Sequence, residues 1–173
     1  VSVIPENGSR NKPSVQAWYT LFDTTGTPAL ACSATLLTKF RTSAVSAIAA
    51  KHLANEHAKT LLVVGTGSLA PWKAEAHAQV CEYEKILVWG RNIEKAELTA
   101  KTICVLLQYN ISVIEDLQSA IQQTDVITVA TTSRTPIIKG EWLRDRQHLD
   151  LVGAFVPEMI EVDANTVKGS SVF

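Results

Sequence analysis

The sequence predicts an α/β fold with a doubly wound parallel sheet, and three observations support this prediction. The chain has 173 residues and is 46% hydrophobic, which is enough to bury a sizeable core. From residue 60 onward, short apolar runs of strand length alternate with segments of helical periodicity. The first run, Leu61 to Val64, leads into a GxGxxA fingerprint that ends at Ala70. A strand followed by this fingerprint and a helix predicts a Rossmann-like sheet.

The fingerprint has the residues that a dinucleotide site needs. Gly65 permits a tight turn, Gly67 lets backbone approach a pyrophosphate, and the small Ala70 lets the next helix pack close to its strand. The N-terminus of that helix offers N–H groups and a partial positive charge to phosphate, and Pro71 is compatible with its first turn. The alternative is an ordinary glycine-rich turn between a strand and a helix. The predicted cofactor contacts in this loop are Gly65, Thr66, Gly67, Ser68, Leu69 and Ala70.

Further strands and helices follow in alternation, as a doubly wound sheet requires. Glycine or small hydroxyl residues come at the carboxyl ends of several predicted strands, where bulk would block a cofactor. We therefore predict cofactor contacts at Gly90, Thr131, Thr132, Gly153 and Ala154. The predicted strands are 85–89, 111–113, 126–131 and 148–152, with a sixth strand starting at 170–173. The predicted helices are 93–108, capped by Asn92, 116–122, and a short last helix capped by Asp163 and closed by Gly169.

The end of the second strand of this sheet bears on the choice of cofactor. NAD-preferring sites usually place an acid there to bind the ribose 2′-hydroxyl. This sequence instead has Gly90-Arg91-Asn92, so Arg91 can bind a 2′-phosphate, and Asn92 and Lys95 offer further donors. The alternative is that Arg91 is an ordinary loop arginine. We expect NADP(H) to be preferred, with NAD(H) possible.

The N-terminal third predicts a hairpin followed by a long helix. Residues 15–22 and 28–32 are the two strands, and the turn between them contains Gly26. Ser33 or Thr35 is the expected N-cap of a helix that reaches about Ala54. Its predicted apolar stripe consists of Leu37, Phe40, Ala44 and Ile48.

Arg41 is one of few charged residues on this helix. An arginine in a sparsely charged segment is a candidate for bidentate binding of an anion. Spacing alone favours the other possibility, a surface arginine on a solvated face.

Composition excludes several functional classes. The net charge is −1 without a long charged block, so no nucleic-acid or membrane partner is expected. No apolar run approaches the roughly 18 residues of a membrane span, and we expect a cytoplasmic protein. The three cysteines lack CxxC spacing and the four histidines lack HxxxH or HExxH spacing, so reduced thiols and no metal site are predicted.

Several segments resemble the ornithine cyclodeaminase and mu-crystallin family, and the resemblance covers essentially the whole chain. The helix segment joined to the glycine fingerprint is the most specific of these. In order, the segments are Val1-Ser-Val-Ile-Pro-Glu-Asn7, Pro13-Ser-Val-Gln16, Leu37-Thr-Lys-Phe-Arg-Thr-Ser-Ala-Val-Ser-Ala47, Gly65-Thr-Gly67 and Val152-Gly-Ala-Phe-Val-Pro157.

The resemblance implies a division of the chain into domains. Family members pair a Rossmann domain with a second α+β domain that binds substrate and forms a homodimer. By that resemblance residues 1–33 are part of the substrate and dimerisation domain, 34–57 form a bridging helix, and 58–173 form the NAD(P)-binding domain. Because members are longer at both ends and Val1 is not methionine, we expect an internal piece of such a protein.

The resemblance also implies an activity. Family members move a hydride between a nicotinamide and the α-carbon of an amino acid or its imine, and the position matching Arg41 holds the substrate carboxylate. The family's catalytic lysine and glutamate lie in the segment before Val1, so no catalytic residue is assigned here. We expect this piece alone to bind cofactor without turnover.

Phe155 departs from the pattern of the family's cyclodeaminases, which have an aspartate there to handle the amino groups of ornithine. We therefore expect an NADP-dependent reductase of Δ1-pyrroline-2-carboxylate or a related cyclic ketimine. Glu158 or a residue outside this chain is a possible substitute for the aspartate. The alternatives are an ornithine cyclodeaminase that yields proline and ammonia, a mu-crystallin-like NADPH-binding protein with little catalysis, and a non-catalytic excised domain.

Overall fold

The computed structural model describes residues 1–10 and 12–173 and divides the chain into two compact units. The first unit spans Val1–Thr42 and the second spans Ser43–Phe173. The boundary falls within the long helix α1, Thr35–Leu53. Each unit is described separately below.

The first unit consists of two antiparallel strand pairs and the start of α1. Strands β1 (Ser2–Val3) and β2 (Val15–Gln16) form one pair, and β3 (Trp18–Phe22) and β4 (Pro28–Ser33) form the predicted hairpin. The hairpin turn is fixed by Asp23. Its carboxylate accepts hydrogen bonds from the backbone N–H groups of Thr25 and Thr27, and Gly26 takes the positive φ of +83° that the turn requires. A 3-10 helix, Pro5–Arg10, lies between β1 and β2.

The second unit contains a parallel sheet of five strands in the order β7-β6-β5-β8-β9. This order is that of a doubly wound sheet, in which strands are added first on one side of β5 and then on the other. The predicted fold class is therefore confirmed. The strands are β5 (Thr60–Val64), β6 (Lys85–Trp89), β7 (Ile111–Val113), β8 (Val126–Val129) and β9 (His148–Leu151). The connecting helices are α2 (Ala70–Val80), α3 (Ile93–Leu107) and α4 (Leu117–Gln122), followed after β9 by α5 (Ala164–Lys168).

Both faces of this sheet are covered, because alternate residues of each strand point to opposite sides. Leu61 and Val63 of β5 pack with small and branched residues of α2 and α3. Leu62 and Val64 pack with residues of α4 and with Ile138 and Val162. Parallel strands buried on both faces need apolar runs, which is why the sequence shows runs there instead of alternation.

Two of the helix caps predicted from the sequence are present, and one is not. α1 begins at Thr35 and its first hydrogen bond runs from the Thr38 N–H to the Ala34 carbonyl at 2.9 Å, so neither Ser33 nor Thr35 is its N-cap. Asn92 caps α3 by accepting a hydrogen bond from the Lys95 N–H at 2.8 Å, and Asp163 caps α5 through the Thr166 N–H at 2.8 Å. Both caps were predicted from the sequence. None of the described helices is long and apolar enough to cross a membrane.

Two further sequence predictions are wrong. Leu37, Phe40, Ala44 and Ile48 do not form the buried stripe of α1, since these four side chains are exposed. The buried face carries Ser43, Ser46, Ala47 and Ala50, because small side chains allow the close approach of the helix that larger ones prevent.

Residues 170–173 form no strand. The Ser170 hydroxyl instead donates to the Thr166 carbonyl at 2.7 Å, so the chain leaves α5 in an exposed, unpaired segment.

A polar network lies inside the second unit, between α1, α2 and the strands β8 and β9. The Lys73 ammonium is fully buried and lies 2.6 Å from Asp150 Oδ1. His77 Nε2 is 3.0 Å from Ser46 Oγ and 3.2 Å from Asp150 Oδ2. Burial acts to raise the pKa of Asp150, but the contacts with His77 and Lys73 outweigh it and hold that pKa well below the usual range. Burial lowers the pKa of Lys73, and the attraction to Asp150 limits the fall.

His148 lies beside this network, and Nε2 of its ring is buried without a hydrogen-bond partner. Burial lowers the pKa of His148 below its ordinary 6.5, Asp150 opposes the fall, and the nearby His77 and Lys73 reinforce it. Below pH 6.5 the unfolded chain therefore binds more protons at this position than the folded chain.

We predict that the free energy of unfolding is highest above pH 6.5 and falls as the pH drops from there through the folded-state pKa of His148. Denaturant unfolding of His148→Leu between about pH 7.5 and pH 5 should show a flatter pH dependence than the unsubstituted protein. His52→Gln, which removes an exposed histidine of α1, is the control and should keep the slope. An unchanged slope in His148→Leu would contradict this assignment.

Candidate functional site

The candidate site lies at the carboxyl edge of the five-stranded sheet. The strands are parallel, so their carboxyl ends all reach this edge. Gly65 directly follows β5, Gly90 follows β6, and Thr131 and Gly153 come two residues after β8 and β9. The structure thus brings four of the sequence-predicted segments to one edge.

The turn after β5 is packed against its neighbours on both sides. Gly65 has a φ of +119° and its N–H donates to the Trp89 carbonyl at 2.9 Å. A Cβ at Gly65 would lie 2.5 Å from the Ala130 carbonyl oxygen and 3.3 Å from Thr131 Cγ2. Glycine is therefore required here by both the backbone conformation and the space.

Gly67 differs from Gly65 because the space beside it is open. A Cβ at this position would have nothing within 4 Å. Ser68 is exposed and Leu69 half-buried, and Leu69 precedes α2 without making a side-chain cap hydrogen bond. Ala70, the first residue of α2, is buried. Open space at the N-terminus of a helix that no side chain caps fits the pyrophosphate of a dinucleotide.

The end of β6 lies against this loop. A Cβ at Gly90 would meet Cγ2 of Thr66, so the absence of a side chain lets the two turns approach each other. Arg91, Asn92 and Lys95 are exposed at the start of α3. Asn92 uses its carbonyl oxygen for the cap of α3, which leaves its amide N–H₂ as the donor that it can offer a ligand.

The carboxylate of Glu161 joins the ends of β8 and β9. Oε1 accepts hydrogen bonds from the N–H of Thr131 at 2.7 Å and from its hydroxyl at 2.9 Å. Oε2 accepts from the Gly153 N–H at 2.9 Å. Glu161 is 2% exposed, and a Cβ at Gly153 would collide with its Oε1 and with the Thr131 carbonyl. Beside this buried contact, Thr132 and Ala154 are exposed at the edge.

Arg41 belongs to the first unit, whereas the four segments above belong to the second. Its exposed side chain borders a shallow cavity of about 190 Å³ together with Trp18, Tyr19 and Leu37. An arginine beside aromatic rings is a suitable environment for a small anion with an apolar body.

Sequence reasoning missed the buried polar residues that support the edge. Glu161 lies in a segment without clear periodicity, and only its contacts reveal its role. Lys73 and His77 carried a signal, because they are four residues apart on one face of α2, next to the buried Ala70 and Ala74. Asp150 also carried one, since it occupies a buried position of β9.

Fold and edge together define an α/β domain of the Rossmann type. The chain belongs to the ornithine cyclodeaminase/mu-crystallin family, whose sequence profile matches residues 1–173. The resemblance found in the sequence is thus confirmed.

Three relatives illustrate this membership. Protein SAR DEFICIENT 4 of Arabidopsis thaliana is 37% identical over 178 residues, covering 100% of this chain and 55% of that protein. A Delta(1)-pyrroline-2-carboxylate reductase of Bacillus cereus is 34% identical over 172 residues, covering 99% of this chain and 53% of the reductase. The Delta(1)-pyrroline-2-carboxylate reductase of Thermococcus litoralis, solved with NADH and L-proline, superposes with a TM-score of 0.93 at 34% identity and covers 97% of this chain and 52% of that one. The chain spans about half the length of the curated relatives it matches.

Two glycine substitutions should separate packing from ligand space. Gly153→Ala should lower the free energy of unfolding by at least about 2 kcal/mol, because the new methyl group meets backbone and the Glu161 carboxylate. Gly67→Ala should leave unfolding almost unchanged, since its Cβ meets nothing within 4 Å, but should weaken nucleotide binding. Thermal unfolding and a fluorescence titration with NADPH measure both. Equal stability of the two variants would contradict the packing described here.

Proposed function

We propose that the whole protein is a nicotinamide-dependent oxidoreductase that reduces a cyclic imino acid such as Δ1-pyrroline-2-carboxylate. The observation that supports it most directly is the open space at Gly67, beside the N-terminus of α2, which no side chain caps. Gly65 and Gly90, in contrast, are tightly packed. Family membership supports the reaction type, because relatives on the same fold are named reductases of this imine.

A bound nicotinamide supplies the hydride. The residues of this chain are proposed to bind the cofactor and the substrate and to orient them. The loop from Gly65 to Ala70 holds phosphate, and the ends of β8 and β9 face the other half of the dinucleotide. Arg41 is proposed to hold the substrate carboxylate through a bidentate contact. The acid–base residue is proposed to lie outside this chain.

The cofactor preference is proposed to be NADP(H) over NAD(H). No acidic residue occurs at Gly90-Arg91-Asn92, so a 2′-phosphate meets no repulsion at the end of β6. The Arg91 guanidinium is exposed there and matches a phosphate in shape and charge. The Thermococcus litoralis relative was solved with NADH, so the preference needs a direct test in this protein.

Arg91→Ala should weaken NADPH binding by about 1–3 kcal/mol and leave NADH binding nearly unchanged, because only NADPH carries the 2′-phosphate. Fluorescence titration of both cofactors measures this. Arg134→Ala removes another exposed arginine of the same unit and serves as the matched control. The proposal fails if the unsubstituted protein binds NADH as tightly as NADPH.

Phe155 supports reductase over cyclodeaminase activity. Its side chain is 47% exposed, four residues beyond the end of β9. A phenyl ring neither accepts a proton nor pairs with an ammonium group, but it can pack on the methylenes of a ring already closed. The second candidate, ornithine cyclodeamination, would need a carboxylate to handle the two amino groups of ornithine, and Glu158 is an exposed one nearby.

The full-length protein should oxidise NADPH when Δ1-pyrroline-2-carboxylate is added and should form little proline from ornithine, since Phe155 offers no base. Absorbance of NADPH and proline formation are the two measurements. Glu158→Gln is the control that tests whether this acid replaces the missing aspartate. Efficient proline formation without loss of NADPH would favour the cyclodeaminase. Cofactor binding without either reaction would favour a mu-crystallin-like binding protein.

Homodimer formation and a cytoplasmic location are proposed on the family resemblance and on composition. A sedimentation measurement on the full-length protein tests the first.

A further inference from the structure

Glu161 is buried at the sheet edge, and its carboxylate contacts backbone. The three hydrogen bonds described for this carboxylate come from Thr131 and Gly153, which lie two residues after β8 and β9. Two of these donors are backbone N–H groups, one from each strand end. A single carboxylate therefore bridges the two strand ends, just beyond the last backbone hydrogen bond of the ladder, from the Val152 N–H to the Val129 carbonyl.

The segment that carries Glu161 is itself held in place. The N–H groups of Ile137 and Ile138 donate to the Glu161 carbonyl at 2.9 and 3.1 Å. Val162 and Met159 are buried on either side. With its backbone anchored and its side chain 2% exposed, Glu161 has little freedom to follow movements of the strand ends.

The strand order indicates which half of the dinucleotide these ends face. The pyrophosphate lies at the turn after the first strand, β5, and the adenosine ribose at the end of the second strand, β6. The sheet order β7-β6-β5-β8-β9 puts β8 and β9 on the other side of β5. Thr131 and Gly153 therefore lie on the side of the nicotinamide half.

We propose that Glu161 is a positioning residue for the nicotinamide half of the cofactor. It acts through the backbone of Thr131 and Gly153 and does not touch the reacting atoms. This inference rests on the proposed dinucleotide site. It predicts that loss of the carboxylate disturbs one half of the dinucleotide and spares the adenosine half.

Glu161→Gln is the informative variant, because it keeps the volume of the side chain. Its single amide oxygen can accept at one strand end only, and its N–H₂ group then faces an N–H donor at the other end. In the full-length protein the dissociation constant for NADPH should rise by on the order of tenfold, the usual effect of losing one such hydrogen bond. The dissociation constant for 2′-phospho-ADP, a probe of the adenosine half alone, should stay within about twofold.

Asp163→Asn is a matched control. The Asp163 carboxylate also accepts three hydrogen bonds, from Gly140 N–H, Thr166 N–H and the Thr166 hydroxyl. It contacts none of the strand ends at the edge. Because all three bonds go to Oδ1, which asparagine keeps as an acceptor, this variant should change the melting temperature little and leave both dissociation constants unchanged.

The outcomes are distinct. Selective loss of NADPH affinity in Glu161→Gln supports the proposal. Equal weakening of both ligands, or of neither, overturns it and leaves Glu161 a structural residue. If the unsubstituted protein binds neither NADPH nor NADH, the proposed cofactor site itself is wrong. If Glu161→Gln does not fold, Glu161→Asp replaces it. Glu161→Asp keeps the charge but is one methylene too short to reach both strand ends, and the same selective loss is expected.

Discussion

The pairing of β5 on both of its edges is the constraint on which the second unit depends. Leu61 to Val64 are at most 1% exposed and pair with β6 on one side and β8 on the other. The register of a strand that is paired on both edges is held by two ladders, which here match Val64 with Trp89 on one side and with Val129 on the other. The turn at Gly65 therefore leaves the sheet at a fixed place.

Glycines at the edge of the sheet contribute no side chains to packing, and buried polar contacts connect the strand ends there. At Gly65, Gly90 and Gly153 a Cβ would collide with neighbouring protein atoms, whereas the space beside Gly67 is open. Glu161 joins the ends of β8 and β9, and Lys73 binds both the Val129 carbonyl and Asp150 further down the same strands. A buried ion pair contributes little net stability, but it fixes geometry, because breaking it would leave an unpaired charge.

Local patterns made much of this fold predictable. The apolar runs gave all five strands of the sheet, and the side chains of Asn92 and Asp163 gave two helix caps, because each signal needs only neighbouring residues. The stripe of α1 was predicted wrongly, since apolar spacing does not say which face a neighbour covers. Glu161 was missed for a related reason. Its partners are 30 and 8 residues away, so no local pattern identifies it. The contacts of individual site residues with a ligand stay predictions.

The two sides of the edge differ in how deeply their residues are buried, and this difference decides what a substitution on each side would do. On the side of β6, Arg91 and Lys95 are exposed and outside the core, so substitutions there should have little effect on folding, and under the proposed function they would alter ligand preference. On the side of β8 and β9, the edge consists of backbone that donates hydrogen bonds to the buried Glu161. Under the proposed function, substitutions there would disturb ligand geometry and stability together, because the same hydrogen bonds would serve both. In that proposal, preference between NAD(H) and NADP(H) is the property that this fold can change most readily, and the placement of the nicotinamide half is the one it holds most firmly.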